Sequence, residues 1–183
     1  MTVTRPRAER GAFPPGTEHY GRSLLGAPLI WFPAPAASHE SGLILAGTHG
    51  DENSSIVTLS CALRTLTPSL RRHHVVLCVN PDGCQLGLRA NANGVDLNRN
   101  FPAANWKEGE TVYRWNSAAE ERDVVLLTGD KPGPEPETQA LCQLIHRIQP
   151  AWVVSFHDPL ACIEDPRHSE LGEWLAQAFE LPL

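Results

Sequence analysis

No run of apolar residues in this chain is long enough to cross a bilayer, and none stands behind the polar, arginine-bearing start from Met1 to Arg10 as it would in a signal peptide. Blocks of lysine and arginine are also missing. With a net charge of −6, this argues against nucleic acid or an anionic membrane as partner. Cys-x-x-Cys pairs are absent. The five cysteines (61, 78, 84, 142 and 162) are odd in number and three sit inside apolar patterns, so buried free thiols in a reducing compartment are expected. The cytoplasm fits these observations. There is no internal repeat and no low-complexity tract. What remains is an ordinary globular composition, and 183 residues are enough for one domain with a sizeable core.

Apolar runs at Pro28–Phe32, Gly42–Ala46, His73–Val79 and Ala151–Phe156 predict strands, the first paired with a neighbour through the Gly21–Ala27 turn region. Helical spacing predicts helices at Ser54–Leu66, after Pro136 (buried face Leu141, Leu144, Ile145 and Ile148) and at Glu170–Glu180. Glu135 and Glu137 flank Pro136 near the positive end of that helix. Asn80-Pro81-Asp82-Gly83 reads as a turn that stops a strand. Gln85–Asn105 reads as an ordered loop, and Val124–Leu127 fits either a short strand or a helix end. Strands alternating with helices predict an α/β fold with a mixed, mainly parallel sheet and helices on both faces.

The stretch around which the chain is organised is Ala46-Gly47-Thr48-His49-Gly50-Asp51-Glu52-Asn53, where a strand gives way to a helix. An imidazole and a carboxylate three residues apart can meet one small cation, although a solvated loop would carry the same residues. His157 likewise follows an apolar strand, so it can lie on the same sheet edge. Two histidines and a carboxylate with an open position are the arrangement of a catalytic zinc, against the plainer reading of a strand-end histidine bonded to a carbonyl. Asn98 and Arg99 add an amide and a guanidinium fork suited to a substrate carboxylate.

These residues, in order, resemble the zinc carboxypeptidase family. The matches are Tyr20-Gly21-Arg22-Ser23 with Gly26-x-Pro28-Leu29, His49-x-x-Glu52, and Asn80-Pro81-Asp82-Gly83. They continue with Gly94-Val95-Asp96-Leu97-Asn98-Arg99-Asn100-Phe101, Glu135-Pro136-Glu137-Thr138 and His157. The resemblance implies one zinc per chain held by His49, Glu52 and His157, with Asp96 orienting His49. It implies that Asn98 and Arg99 bind a terminal carboxylate and that Arg89 meets the developing oxyanion. The motif wording is most similar to bacterial members that trim recycled cell-wall peptide. That implies a small peptide substrate with a free carboxylate, murein tripeptide, cut at its γ-D-glutamyl–diaminopimelate bond.

One feature departs from the family. Its general-base glutamate lies on a strand well beyond the third zinc ligand, whereas only residues 158–183 follow His157 here. Glu164, Glu170, Glu173 and Glu180 lie too early to match it. The expectation is therefore a single domain incomplete at its C-terminal end, with impaired turnover. Two alternatives stay open: an amidohydrolase like aspartoacylase or succinylglutamate desuccinylase, and an inactive zinc-binding fragment. A sheet that stops short would expose an edge strand prone to pairing, which would favour a homodimer.

Overall fold

The structure is a computed structural model that describes residues 4–12, 16–114, 123–158 and 160–183. Its centre is a parallel three-stranded sheet in the order β4-β3-β7, formed by His74–Val76, Leu43–Leu45 and Val153–Ser155. An antiparallel hairpin of β1 (Glu18–Arg22) and β2 (Pro28–Trp31) joins it through an antiparallel bridge between Phe32 and Val75. The mixed, mainly parallel sheet inferred from sequence is thus present.

Side chains alternate across a strand, so the short apolar runs bury both faces. Leu43, Leu45 and Val76 pack in one core cluster with Leu141 and Leu144 of α3 (Pro136–Ile148). Ile44 and Val75 pack in the other with Ile56, Leu59 and Leu63 of α1 (Asn53–Thr65). Helices therefore cover both faces, and each presents the apolar side that its spacing predicts. A last helix, α4 (Glu170–Phe179), starts at Ser169, whose hydroxyl accepts from the Gly172 amide at 3.2 Å. Its Phe179 ring meets Phe156 edge-on at 6.2 Å. Among the described residues, no helix is long and apolar enough to cross a membrane.

One stretch differs from the sequence reading, and a second takes one of the two forms that the sequence left open. Asn80–Gly83 is the start of a helix, α2 (Pro81–Leu86): Asn80 Oδ1 accepts from the Gly83 amide at 2.9 Å, with Pro81 in the first turn. The residues that mark a turn also mark a helix N-terminus, and six residues are too few to show helical periodicity. Val124–Leu127 belongs to a strand, β6 (Asp123–Leu127), paired antiparallel with β5 (Glu110–Arg114), which the sequence did not announce. This hairpin stands apart from the central sheet and buries little, so the alternation that would reveal it is weak.

Candidate active site

The peptide after β3 keeps hydrogen-bonding to the chain after β4: the Asn80 amide donates to the Gly47 carbonyl at 2.9 Å. Gly47 turns the chain with φ +62°, a left-handed conformation that suits glycine. Gly50 then lies so close to α2 that a Cβ there would stand 2.0 Å from the Gly83 carbonyl carbon and 2.4 Å from the Leu88 oxygen. The loop from Gly47 to Glu52 is thus clamped between β3 and α2. That clamp delivers His49 and Glu52 to the carboxyl edge of the sheet.

There the three residues singled out in the sequence converge. His49 Nδ1 lies 2.7 Å from Glu52 Oε1, and His157 Nδ1 lies 3.2 Å from His49 Nδ1 and 2.9 Å from Glu52 Oε2. His49 and Glu52 are buried, whereas His157 is exposed. On its far side, His49 Nε2 donates to Asp96 Oδ1 at 3.0 Å. This bond takes the proton of a neutral imidazole and leaves a lone pair on Nδ1, aimed at a carboxylate oxygen and a second imidazole nitrogen. Three such acceptors at these distances need a cation among them. Two imidazole nitrogens and one carboxylate form a donor set that suits zinc, with a position left open.

A proton can fill the place of that cation, and the shifts of the protonated cluster show how strongly the site draws positive charge. Burial alone would lower the pKa of His49, but hydrogen bonds to Asp96 and Glu52 outweigh it and the net shift is upward. Burial alone would raise Glu52, yet the hydrogen bonds of His157 and His49 hold its carboxyl well below the usual range. Glu52 also precedes α1, where the helix dipole favours negative charge.

Asp96 is held in turn. Its amide donates to the Leu127 carbonyl of β6 at 2.8 Å, and its Oδ1 accepts from the Asn98 amide at 2.9 Å. Asn98 and Arg99 follow in a single 3-10 turn and are exposed, bordering the same cavity as His49 and Glu52. Arg89 borders it from the opposite loop, with Nη1 donating to Glu52 Oε1 at 2.7 Å. The cavity measures about 550 Å³ and runs from these residues past β7 to α4, with Glu164 on its wall.

Other site-supporting residues went unrecognised in the sequence. Asn91 donates to Glu135 Oε2 at 2.6 Å and to Glu137 Oε2 at 3.2 Å, and Asn93 donates to Glu135 Oε2 at 2.9 Å. These bonds tie the Arg89–Asp96 loop to the start of α3, so Glu135 and Glu137 do more than meet a helix dipole. Asp82 accepts from the Ser23 hydroxyl at 2.6 Å and the Leu25 amide at 2.8 Å, joining two motifs that lie far apart in the chain. Tyr113 and Asp51 were also missed: the Tyr113 hydroxyl donates to Asp51 Oδ2, and the Arg89 guanidinium carbon lies 4.7 Å from the Tyr113 ring centroid.

Comparison with known proteins agrees with this arrangement. The profile of the zinc carboxypeptidase family matches residues 19–159. The chain is 98% identical, over all 183 residues, to murein peptide amidase A of Escherichia coli strain K12, and spans 76% of that protein. It is 57% identical over 178 residues to murein peptide amidase A of Vibrio campbellii, covering 97% of this chain and 72% of that one. Among solved structures, the crystal structure of murein-tripeptide amidase MpaA from Escherichia coli O157 matches with a TM-score of 0.94 at 98% identity. That match covers 100% of this chain and 77% of the other.

Proposed function

The chain belongs to the zinc carboxypeptidase family, and we propose that it is a zinc-dependent amidase that hydrolyses the γ-D-glutamyl–diaminopimelate bond of murein tripeptide. The observation that carries this reading is the meeting of His49, Glu52 and His157 at one end of a cavity that Arg89, Asn98 and Arg99 also border. The names of the two relatives at 98% and 57% identity support the substrate class.

In this reading His49 Nδ1, Glu52 and His157 Nδ1 hold one zinc ion. When bound, zinc supplies a Lewis acid that polarises a carbonyl and lowers the pKa of water. Asp96 keeps the His49 proton on Nε2 and so keeps Nδ1 available. Asn98 and Arg99 take the terminal carboxylate of the diaminopimelate end, where a fork binds both oxygens and fixes the register of the amide. Arg89 turns from Glu52 to the carbonyl oxygen of the cut bond as that oxygen gains charge. Water adds to the carbonyl carbon, the C–N bond breaks, and both protons of that water end on the leaving nitrogen through solvent, so that the products are a γ-carboxylate and an ammonium group.

The test is release of diaminopimelate from murein tripeptide by the purified chain. Slow release, in keeping with the impaired turnover expected from the sequence, that chelation abolishes and zinc restores is the expected result. Deacylation of N-acetylaspartate or N-succinylglutamate with the tripeptide left intact would overturn the reading and favour the amidohydrolase alternative.

A further inference from the structure

Arg89 poses a physical problem that its neighbours solve. A guanidinium on a flexible stem beside a buried carboxylate falls onto it, and here Arg89 Nη1 does rest on Glu52 Oε1 at 2.7 Å. A residue that must serve the substrate carbonyl needs a second support that keeps the guanidinium near the metal ligands without claiming them. We propose that Tyr113 is this support, a positioning residue whose ring carries the Arg89 guanidinium and whose hydroxyl is anchored on Asp51.

Three observations carry the assignment. The Arg89 guanidinium carbon lies 4.7 Å from the Tyr113 ring centroid, within the range of a cation–π contact. The Tyr113 hydroxyl donates to Asp51 Oδ2, whose other oxygen is buried with no hydrogen-bond partner among the described residues. The phenol is thus the group that satisfies a carboxylate next to the ligand Glu52. Lastly, the hairpin that presents Tyr113 is itself fixed to the site: Tyr113 pairs with Val124, and further along β6 Leu127 donates to the Gly94 carbonyl at 3.0 Å and accepts from the Asp96 amide at 2.8 Å. The same hairpin that holds the loop of Asp96 therefore sets the height of the Tyr113 ring. A strand serving only to cover the site would need neither the stacked arginine nor the half-buried carboxylate.

The inference rests on the hydrolytic reading above, and its test separates the two. The probe is a phosphonate dipeptide analogue with a free terminal carboxylate, whose tetrahedral anionic oxygens engage Arg89. Its affinity is measured by calorimetry on the zinc-loaded chain and needs no turnover. Tyr113→Leu should weaken phosphonate binding about 3- to 30-fold, the range of a cation–π support, with zinc content unchanged. Tyr113→Phe, which keeps the ring, should recover part of that loss. In an Arg89→Ala background Tyr113→Leu should have no further effect, and in turnover the loss should fall on kcat more than on KM. Equal loss with and without Arg89, loss of zinc along with affinity, or unchanged affinity in Tyr113→Leu would overturn the proposal while leaving the hydrolytic reading in place. If Tyr113→Leu fails to fold, Tyr113→Phe decides: an affinity loss independent of Arg89 overturns the assignment. An unaltered zinc-loaded chain that does not bind the phosphonate would overturn both.

Discussion

Asp96 reaches the proposed metal site only through His49, which is why its removal should be felt in zinc retention. Its Oδ1 takes the His49 Nε2 proton at 3.0 Å, and residues that orient a metal ligand in this way typically cost about 10–100-fold in affinity when lost. Asp96→Asn should therefore release zinc to a competing chromophoric chelator at about 10–100-fold lower chelator strength. Intact zinc affinity with lost peptide binding would instead place Asp96 against substrate. Arg99→Lys should raise KM for peptides with a free terminal carboxylate, since an ammonium cannot pair both oxygens. Equal KM values for free and amidated peptides would contradict that role. Both residues were legible because their spacing follows a family motif. Tyr113 was not, because a lone tyrosine in a sequence carries no sign of the arginine and aspartate that it meets.

The two tyrosines offer a titration with a definite sign. Burial first, then the hydrogen bond to Asp51, push the Tyr113 phenol up to about 12, and burial pushes Tyr20 up as well. Both groups keep their protons in the fold at a pH where the unfolded chain, with phenols near about 10, has begun to lose them. Their contribution to stability is complete below pH about 10 and is lost as pH climbs through the folded values. Near-ultraviolet titration of the folded chain should show no tyrosinate step at the ordinary value. A full step there would contradict the Tyr113–Asp51 bond.

At the scale of elements, the clamp of the loop of His49 and Glu52 against α2 is the contact most open to test. A Cβ at Gly50 would meet only backbone atoms, at 2.0–2.4 Å, and backbone does not swing aside. Gly50→Ala should cost about 3 kcal/mol, the upper end of overpacking, and should displace His49 and Glu52 enough to reduce zinc retention. Gly11→Ala is the control, because a Cβ there has nothing within 4 Å. Denaturant unfolding and metal content read both variants, and a Gly50→Ala chain that matched this control would contradict the clamp. The clamp also shows where sequence reading stops. β3 and α1 were legible from apolar runs and helical spacing, whereas α2 was hidden because Asn80-Pro81-Asp82-Gly83 fits a turn equally well. β5 was hidden because the outward residues of this hairpin are apolar too: Val112, Val125 and Leu127 are exposed although Leu126 is buried, so the alternation of apolar and polar residues is lost.

At the scale of the whole molecule, two surfaces are apolar without being covered among the described residues. β7 pairs only with β3, and Val153 is 44% exposed on it. Trp174 and Phe179 of α4 are 60% and 50% exposed, and Leu160 between the two elements is 76% exposed. Free strand edges and exposed apolar side chains promote association. Light scattering should find concentration-dependent self-association of the 183-residue chain. Val153→Lys with Trp174→Lys should reduce it, and an unchanged scattering profile would count against this surface. The sheet that places these surfaces was foreseeable, because β3 and β4 are covered on both faces and such strands are almost wholly apolar. The apolar stripe of α4 at Leu171, Trp174, Leu175 and Phe179 was legible as well, from its helical spacing.

The central claim is that His49, Glu52 and His157 form one zinc site, and the zinc-edge X-ray absorption spectrum of the loaded chain tests it most directly. The account predicts one zinc per chain with two imidazole nitrogens at about 2.0–2.1 Å and carboxylate or water oxygens at about 2.0–2.2 Å, the second imidazole disappearing in His157→Ala. A sulfur shell at about 2.3 Å, or a spectrum unchanged by that substitution, would contradict it.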